Sequence, residues 1–560
     1  MTPPASTPAP APRTPSPRTR ILRGYGPLVA FALVFLLMAV FFPTVGRKVV
    51  TVNGQGTPAG AGSGQFDNGA GSAGVAGSAG QAGSANAAGA ASAAGAARGA
   101  APLGSAGACP DRRLQVNGDT YSPPCVAFSG NNGGATSRGI TGDTITVAVR
   151  VTNDAGFQQT LAQAAGAQLT DSEDDIKRTT SVLADYFNSR FQFYGRKIKL
   201  VFFNGKGSEL TELQGGGQEE AQADAVKVSD EIKAFAELNG STVPYADALA
   251  QRQVVNFGAP YVSREWLTQR RPYSWSVATD CSIITESVST WVLARLGRKP
   301  ATWAGGSLKD KPRKYAIIAP ENPWYQECVD AGQRILAQHG EHTDDRLTYK
   351  FDINSLSDQA ANMVAKLKSD NITSVVLGTD PILPVFLTAK AKEQNYQPEW
   401  LVAGTALTDA DIVGQLYDQD QWSHAFGISY LGSYQPLRAS YGYNAYKTID
   451  PGNEPAQLVD IIYYQMYMLA LGIQLAGPDL NPQTFERGMF SYPGGTGPAG
   501  HWGFGPGEYT PTQDAREIYW DRNKVSVQNG KPGAYIESEP GQRYKSGQWP
   551  QGDPPVFAQQ

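Results

Sequence analysis

Short apolar runs typical of buried strands alternate with amphipathic helical patterns through most of this chain. The first two runs are TITVAVRV at Thr144–Val151 and IKLVFF at residues 198–203. Further runs lie at residues 232–236, 254–258, 315–319, 374–378 and 400–403. Between them, residues 174–188 and 356–367 place apolar side chains at helical spacing. This alternation predicts an α/β fold of parallel sheets covered by helices on both faces.

The region that can form such a fold starts near Cys109. Roughly 450 of the 560 residues follow that point, which is enough for two core-forming units. Seven basic residues and one acidic residue precede Cys109, so 40 basic and 50 acidic side chains remain after it. The resulting net charge of −10 on the globular part argues against a nucleic-acid partner.

The N-terminal part divides into three segments. Residues 1–23 form a Pro-rich tail with four Arg and no acid, and residues 24–46 are uncharged and long enough for a transmembrane helix. Only two basic residues follow this span directly, which predicts a cytoplasmic N-terminus and a single-pass membrane protein. The exit sequence has no A-x-A site, so an uncleaved anchor is favoured over a cleaved signal peptide. Residues 47–108 are mostly Gly, Ala and Ser, which predicts a disordered linker.

The four cysteines, Cys109, Cys125, Cys281 and Cys328, all follow the apolar segment. An even number in a translocated region favours two disulfides, with four buried thiols as the alternative. The Cys and His residues show no zinc-site spacing. We therefore expect no metal site.

Catalytic motifs are scarce. Residues 495–500 fit G-x-G-x-x-G by letter, but they contain a Pro and follow no predicted strand, so an ordinary turn is favoured. The sequence contains no G-x-S-x-G and no Walker A motif. We expect no catalytic residue, no cofactor and no enzymatic activity.

Several segments resemble a known family. ADYFNSRFQFYGRKIKLVFF at residues 184–203 is the most specific, and GITGDTITVAVR at residues 139–150 precedes it. PRKYAIIAPENPWYQECVDAGQRIL at residues 312–336 and FGPGEYTPTQDAREIYW at residues 504–520 complete the pattern. They resemble type I periplasmic binding proteins of the branched-chain amino acid and amide-binding group. The stretch from Cys125 onward is further similar to tethered actinobacterial members.

The resemblance implies two doubly wound lobes joined by crossovers. Residues 139–280 plus 437–505 would form lobe one, and residues 281–436 plus 506–545 would form lobe two. Residues 109–138 would be a disulfide-containing lead-in, and residues 546–560 a tail. Ligands in such sheets bind beyond the carboxyl ends of the strands, so the site is expected in the cleft between the lobes.

The resemblance also implies a set of ligand-binding residues. In lobe one, the loop LNGSTV would offer its N–H groups and hydroxyls to a ligand carboxylate, and an aromatic residue would wall the cleft. In lobe two, the loop after strand 315–319 and the next two strand ends would face them. An ordinary turn with an N-cap, and aromatic side chains packed beneath their loop, are the alternatives. The candidates are Asn239, Gly240, Ser241, Thr242, Tyr261, Asn322, Trp324, Tyr325, Asp380 and Thr405.

One departure from the family bears on the ligand. Amino-acid-binding members usually carry an acid at the last of these loops, where this chain has Thr405 and a displaced Asp409. Asp380 is a possible substitute, but an unpaired buried ammonium is costly, so an ordinary amino-acid ligand is doubtful. Asn204 also stands where an acid is common.

The resemblance implies a function in uptake. A tethered extracytoplasmic protein of this type captures a small polar ligand, such as an amino acid or amide, for an ABC permease. A membrane-anchored sensor without transport is the alternative, and an enzyme on the same fold is a third. Within this fold, Cys109–Cys125 would close a short loop before lobe one. Cys281–Cys328 would link the helices that flank strand 315–319.

We predict that a reporter fused after residue 60 is active only if it functions outside the cytoplasm. The reason is the uncharged segment with its Arg-rich inner flank. Paired fusions to an extracytoplasmic and a cytoplasmic reporter measure this directly. Activity of the cytoplasmic reporter would overturn both the topology and the argument for disulfides.

Overall fold

The computed structural model describes Cys109, residues 113–152, Asp154 and residues 171–557. The predicted tail, transmembrane segment and linker lie outside the described residues. Among the described helices, one (Val459–Ala476) is long and apolar enough to span a membrane by length and composition. Most of its side chains are buried, and Tyr463, Met466 and Tyr467 lie in one hydrophobic core with Ile145 and Val255.

The first sheet contains five parallel strands in the order β2-β1-β3-β4-β5. These strands are β1 (Thr144–Val151), β2 (Lys197–Asn204), β3 (Ala236–Gly240), β4 (Val255–Gly258) and β5 (Ser274–Trp275). The strands β1 and β2 pair in register along their whole length, from Thr144 opposite Lys197 to Val151 opposite Asn204. The predicted parallel sheet is confirmed.

The second sheet is mixed, in the order β14-β13-β10-β9-β8-β6-β7, with β15 paired to β13. Its parallel strands are β6 (Tyr315–Pro320), β7 (Asp345–Tyr349), β8 (Ser374–Leu377), β9 (Glu399–Val402) and β10 (Ala425–Ser429). After the small hairpin β11 (Gly495–Gly497) and β12 (Gly500–Trp502), the antiparallel strands are β13 (Asp514–Val525), β14 (Pro532–Glu537) and β15 (Tyr544–Lys545). The hairpin places a turn at the G-x-G-x-x-G letters, as the sequence indicated.

Helices connect the strands. They are α1 (Glu173–Arg190), α2 (Glu209–Leu213), α3 (Gln218–Val226), α4 (Val243–Gln251), α5 (Arg264–Gln269), α6 (Cys281–Trp291), α7 (Pro323–Gln338), α8 (Leu356–Ser369), α9 (Leu383–Glu393), α10 (Asp411–Gly414), α11 (Gln419–Trp422), α12 (Tyr441–Ile449), α13 (Val459–Ala476) and α14 (Pro482–Phe490). Short π-helical turns at Lys227–Glu231 and Val292–Leu296 follow α3 and α6. The capping box of Ser172 and Asp175 begins α1.

The chain passes between the two sheets three times. Helices α12, α13 and α14 pack in the same core as β1, β3 and β4, although they follow the second sheet's parallel strands in sequence. Strands β13 and β14 then return to the second sheet. Buried side chains from β13 and α6 share a further core with β10. The two α/β units are therefore each built from separate stretches of the chain.

One predicted strand is misplaced. The apolar run 232–236 was expected to be the strand, with LNGSTV as the loop after it. The structure instead places Ala236–Gly240 in β3, so Asn239 and Gly240 end a strand. Pairing on both sides decides this: Ala236 lies opposite Val147 of β1 and opposite Val255 of β4. Residues 322–325 were expected to lie in a loop after β6. In the structure, Asn322 precedes α7 and the next three residues form its first turn.

Both predicted disulfides are confirmed. Cys109 is bonded to Cys125, and Cys281 at the start of α6 is bonded to Cys328 in α7. Since α6 and α7 flank β6 in sequence, the second bond ties together two helices on one face of the second sheet.

Replacing Cys281 and Cys328 together by Ser should lower the free energy of unfolding by about 2–4 kcal/mol, because the unfolded chain gains conformational freedom. Denaturant titration of the variant and the wild type measures the loss. The matched control is the Cys109/Cys125 double Ser variant, whose bond spans 16 residues instead of 47 and should cost less. Equal stability of the wild type and the Cys281/Cys328 variant would contradict the prediction.

Candidate functional site

A cavity of about 290 Å³ lies where the carboxyl ends of strands from both sheets meet. Lobe one contributes Leu213, Pro260 and Tyr261 to its wall. Lobe two contributes the rest, from α6, α7 and the ends of β6, β8 and β9. The placement agrees with the general rule that open α/β sheets bind ligands beyond the carboxyl ends of their strands.

The two lobes touch at the mouth of this cavity. The side-chain amide of Asn322 donates to the carbonyl oxygen of Leu213 at 3.4 Å. Tyr261 of lobe one packs against a core cluster of lobe two, and Trp324 of lobe two packs against the core of lobe one. These reciprocal contacts enclose the cavity.

The backbone is strained beside the cavity. Tyr261, Ala406 and Leu407 adopt left-handed conformations with φ of 58°, 48° and 61°, which side chains larger than Gly rarely occupy. Each such residue costs roughly 1–3 kcal/mol, and such strain persists where surrounding packing over-determines it. Two of the three line the cavity. The strain therefore marks this mouth as a candidate ligand site.

The predicted polar loop of lobe one is engaged by the protein's own carboxylates. Ser241 Oγ donates to Glu209 Oε1 at 2.9 Å, and Asn239 Nδ2 donates to the same oxygen at 3.3 Å. The buried hydroxyl of Thr242 donates to Glu212 Oε2. The loop has the anion-binding groups that the sequence indicated, but in the structure α2 supplies the anions.

Arg150 holds α2 in this position. Its guanidinium forms two parallel bonds of 2.8 Å to the carboxylate of Glu212 and lies 3.6 Å from the ring centre of Tyr245. Asp224 is a second anionic partner at 3.4 Å. All these groups are buried, so the pairing is bidentate and shielded from water. Removal of one partner would leave an uncompensated buried charge.

In lobe two, the side chain of Asp380 is already hydrogen-bonded. Its Oδ1 accepts from the N–H groups of Ile382 and Leu383 at 2.6 and 3.1 Å, and its Oδ2 accepts from the Tyr349 hydroxyl. Burial raises the pKa of Asp380, although these bonds oppose the shift. The carboxyl group thus caps the start of α9, and it is the sole charged side chain among the described lining residues.

The other lobe-two candidates also lie at the cavity. Tyr325 and Asn322 line it from the start of α7, and Thr405 lines it from the loop after β9, with its hydroxyl donating to the carbonyl of Thr379 at 3.3 Å. Burial raises the pKa of the Tyr325 hydroxyl, which stays protonated at neutral pH. Trp324 contacts Tyr325 edge-on at 6.0 Å between ring centres. The structure brings Tyr261, Asn322, Tyr325, Asp380 and Thr405 to one cavity, whereas Asn239, Ser241 and Thr242 face α2.

The sequence matches a family model. The model described as "Periplasmic binding protein" covers residues 166–524. The chain belongs to this family. Its members are solute-binding proteins of ABC transporters that act outside the cytoplasm, and the resemblance stated from the sequence is confirmed. No curated protein matches the sequence.

Solved structures share the fold of this periplasmic binding protein at low identity. An ABC transporter substrate-binding protein from Aeropyrum pernix gives a TM-score of 0.52 at 12% identity, covering 72% of this chain and 96% of its own. A fatty acid ABC transporter substrate-binding protein from Thermomonospora curvata gives 0.50 at 15% identity, with 75% and 97% covered. A solute-binding protein from Rhodopseudomonas palustris BisB5, in complex with 3,4-dihydroxybenzoic acid, gives 0.50 at 12% identity, with 72% and 98% covered.

Sequence reasoning missed most of the cavity wall of this periplasmic binding protein. Most of the missed residues are apolar positions on α6, α7, β6 and β8, and their pattern is the same as that of core residues. Glu209 and Glu212 were missed for a different reason: their roles depend on α2 folding over β3. The N-cap Ser208 and the short ELTEL run signal a helix, but they do not indicate what it contacts.

The carboxyl group of Glu237 is buried in β3 of lobe one, close to Arg150. Its oxygens accept from the backbone N–H groups of Arg150 and Asn239 at 2.9 and 2.8 Å. Burial raises its pKa to about 8, although the two N–H groups and the charge of Arg150 oppose the shift and Glu209 adds to it. Between about pH 5 and pH 8, the folded protein therefore keeps a proton on the carboxyl group of Glu237. The unfolded chain, with an ordinary glutamate pKa near 4.3, has released that proton.

The free energy of unfolding should fall as the pH rises from about 5 to about 8. In this window the folded state binds more protons than the unfolded state, so deprotonation favours unfolding, with a slope on the order of 1 kcal/mol per pH unit from this group. Denaturant titrations at several pH values of the wild type and Glu237→Gln measure the slope. The variant should show a flatter dependence. An identical slope in both proteins would show that Glu237 does not carry the effect.

Proposed function

We propose that this chain is the capture component of an ABC-type importer, tethered to the membrane and binding a small molecule outside the cytoplasm. The observation that carries the proposal is the cavity of about 290 Å³ at the strand ends, walled by both lobes and bordered by strained residues. The size is close to the lower end of ordinary small-molecule sites.

The tether belongs to the same proposal. Residues 24–46 would anchor the protein, and residues 47–108 would let the binding domain reach a permease. A linker of this length, treated as a flexible coil, has an end-to-end distance of roughly 40 Å. Loss of ligand uptake on gene deletion, restored by the wild-type chain, would support a transport role. Unchanged uptake, with a changed response to the ligand, would favour the sensor alternative.

The ligand is proposed to have an apolar body. Apolar side chains of Ile284, Val288 and Val329 line the cavity. Asp380, the one acid among the described lining residues, already accepts three hydrogen bonds and is therefore poorly available to an ammonium group. The Rhodopseudomonas and Thermomonospora structures named above are described with an aromatic acid and as a fatty acid transporter component. These ligand classes also contain a large apolar part, which supports the proposal over a small polar amino acid.

The residues proposed to contact the ligand are Tyr325, Asn322 and Thr405 of lobe two, and Tyr261 of lobe one. In lobe one, the side chains of Asn239 and Ser241 can serve only a ligand group that replaces the carboxylate of Glu209, and Gly240 lies between them. The hydroxyl of Thr242 is bonded to Glu212 instead. Trp324 is proposed to close the cleft rather than to bind, since its ring packs on lobe one.

Native mass spectrometry of the purified chain identifies a co-purified ligand, and titration calorimetry then measures its affinity. Tyr325→Ala should weaken binding by about ten- to a hundredfold, because it removes a buried hydrogen-bonding group and an apolar wall. Ser241→Ala is the matched control and should have a smaller effect, because Ser241 bonds to Glu209. A larger loss in Ser241→Ala than in Tyr325→Ala would place the ligand at the lobe-one loop instead.

A further inference from the structure

The cavity extends away from the cleft into lobe two. It runs between the helices α6 and α7 and the strands β6 and β8, where Val288, Val329, Ile317 and Val376 line it. An apolar cavity of about 150 Å³ is enough to take up a benzene molecule, so about 290 Å³ accommodates a larger apolar body. The bond between Cys281 and Cys328, both lining residues, ties the two wall helices together.

Two described wall residues, Tyr315 and Thr379, have a buried hydroxyl without a hydrogen-bond partner. The Tyr315 hydroxyl lies beside the charge of Arg313, so Thr379 carries the one without a neighbouring charge to interact with. Thr379 is 2% exposed and lines the cavity, and its hydroxyl has no hydrogen-bond partner among the described residues. A buried hydroxyl without a partner costs free energy in the ligand-free protein. A ligand that brings a hydroxyl or carbonyl group to this position would recover that energy.

The charges around the cavity disfavour an anionic ligand. No Lys or Arg lines the cavity within the described part of the chain. The one charged side chain in the described lining is that of Asp380. Burial of an ionised carboxylate without a cationic partner is strongly unfavourable.

We propose that the cavity in lobe two binds an uncharged ligand, made of an apolar body and a single hydroxyl or carbonyl group that hydrogen-bonds to Thr379. This inference rests on the proposed function and specifies its ligand class. The ligand enters from the cleft, past Tyr261 and Tyr325, and its apolar body lies between α6 and α7. The binding site thus differs from the polar lobe-one loop, which α2 occupies.

Three probes and three variants test the inference on the full-length chain in lipid nanodiscs. The probes are 1-octanol, octanoate at pH 7.5 and toluene, which share an apolar body and differ in the head group. Val329→Phe fills the cavity and measures the background uptake of each probe by lipid. Ala337→Phe is its matched control, because Ala337 lies on the same helix, is exposed and does not line the cavity. Thr379→Val removes the hydroxyl of Thr379 and keeps the shape of the side chain.

The wild type and Ala337→Phe should bind 1-octanol above the Val329→Phe background, and should bind octanoate at least tenfold more weakly. Thr379→Val should weaken 1-octanol binding by about three- to tenfold and leave toluene binding unchanged. Its melting temperature without ligand should equal or exceed that of the wild type, because no hydrogen bond is lost.

Tighter binding of octanoate than of 1-octanol would overturn the proposed ligand class but not the proposed function. Equal signals from the wild type and Val329→Phe with every probe would overturn the cavity as a binding site. The proposed function is tested separately by the effect of gene deletion on uptake. A chain that supports uptake but binds none of the probes would therefore refute this inference alone.

Discussion

In lobe one, the position of α2 at the end of β3 depends on the buried guanidinium of Arg150. It pairs with both oxygens of Glu212 and stacks on Tyr245, so it fixes α2 against the end of β3. With α2 in place, the carboxylate of Glu209 accepts a hydrogen bond from Ser241, and that of Glu212 accepts one from Thr242. Because a buried cation requires a paired anion, the Glu212 carboxylate is retained beside Arg150, and the hydroxyl of Thr242 that it binds is not free for a ligand.

Lobe two offers a different environment. The helices α6 and α7 are joined by a disulfide, and the end of α6 is held to β13 through Arg295, which pairs with the buried carboxylate of Glu517. Trp291 donates to the same carboxylate at 2.7 Å. Residues of these two helices and of β6 and β8 line the cavity, and most of the lining side chains are apolar. The chemistry of the site therefore shifts from the hydroxyl-rich loop of lobe one to the apolar interior of lobe two.

Much of the fold was predictable because its signals are local. The pattern of residues 198–203 predicted the strand beside Thr144–Val151, and the helical spacing of residues 356–367 predicted α8, in which Met363 and Val364 are buried. Within the fold that the resemblance implies, Cys281–Cys328 was predicted to link the helices flanking β6 and Cys109–Cys125 to close a short loop before lobe one, and both bonds are present. The offset of β3 was not predictable, because residues 232–236 are apolar for packing reasons and only the pairing with β1 and β4 sets the strand's limits.

The sequence by itself determined the family, the parallel α/β architecture and the loops that carry Tyr325, Asp380 and Thr405, since these follow from periodicity and motifs within short segments. Only the tertiary structure decided which of these groups remain available. Asp380 caps α9, and Ser241 is bonded to Glu209, a residue 32 positions away in sequence. A hydrogen bond between distant segments makes a polar group unavailable to a ligand, but it leaves the sequence pattern around that group unchanged. The residues that line the cavity have the same apolar pattern as core residues, so the sequence does not distinguish them.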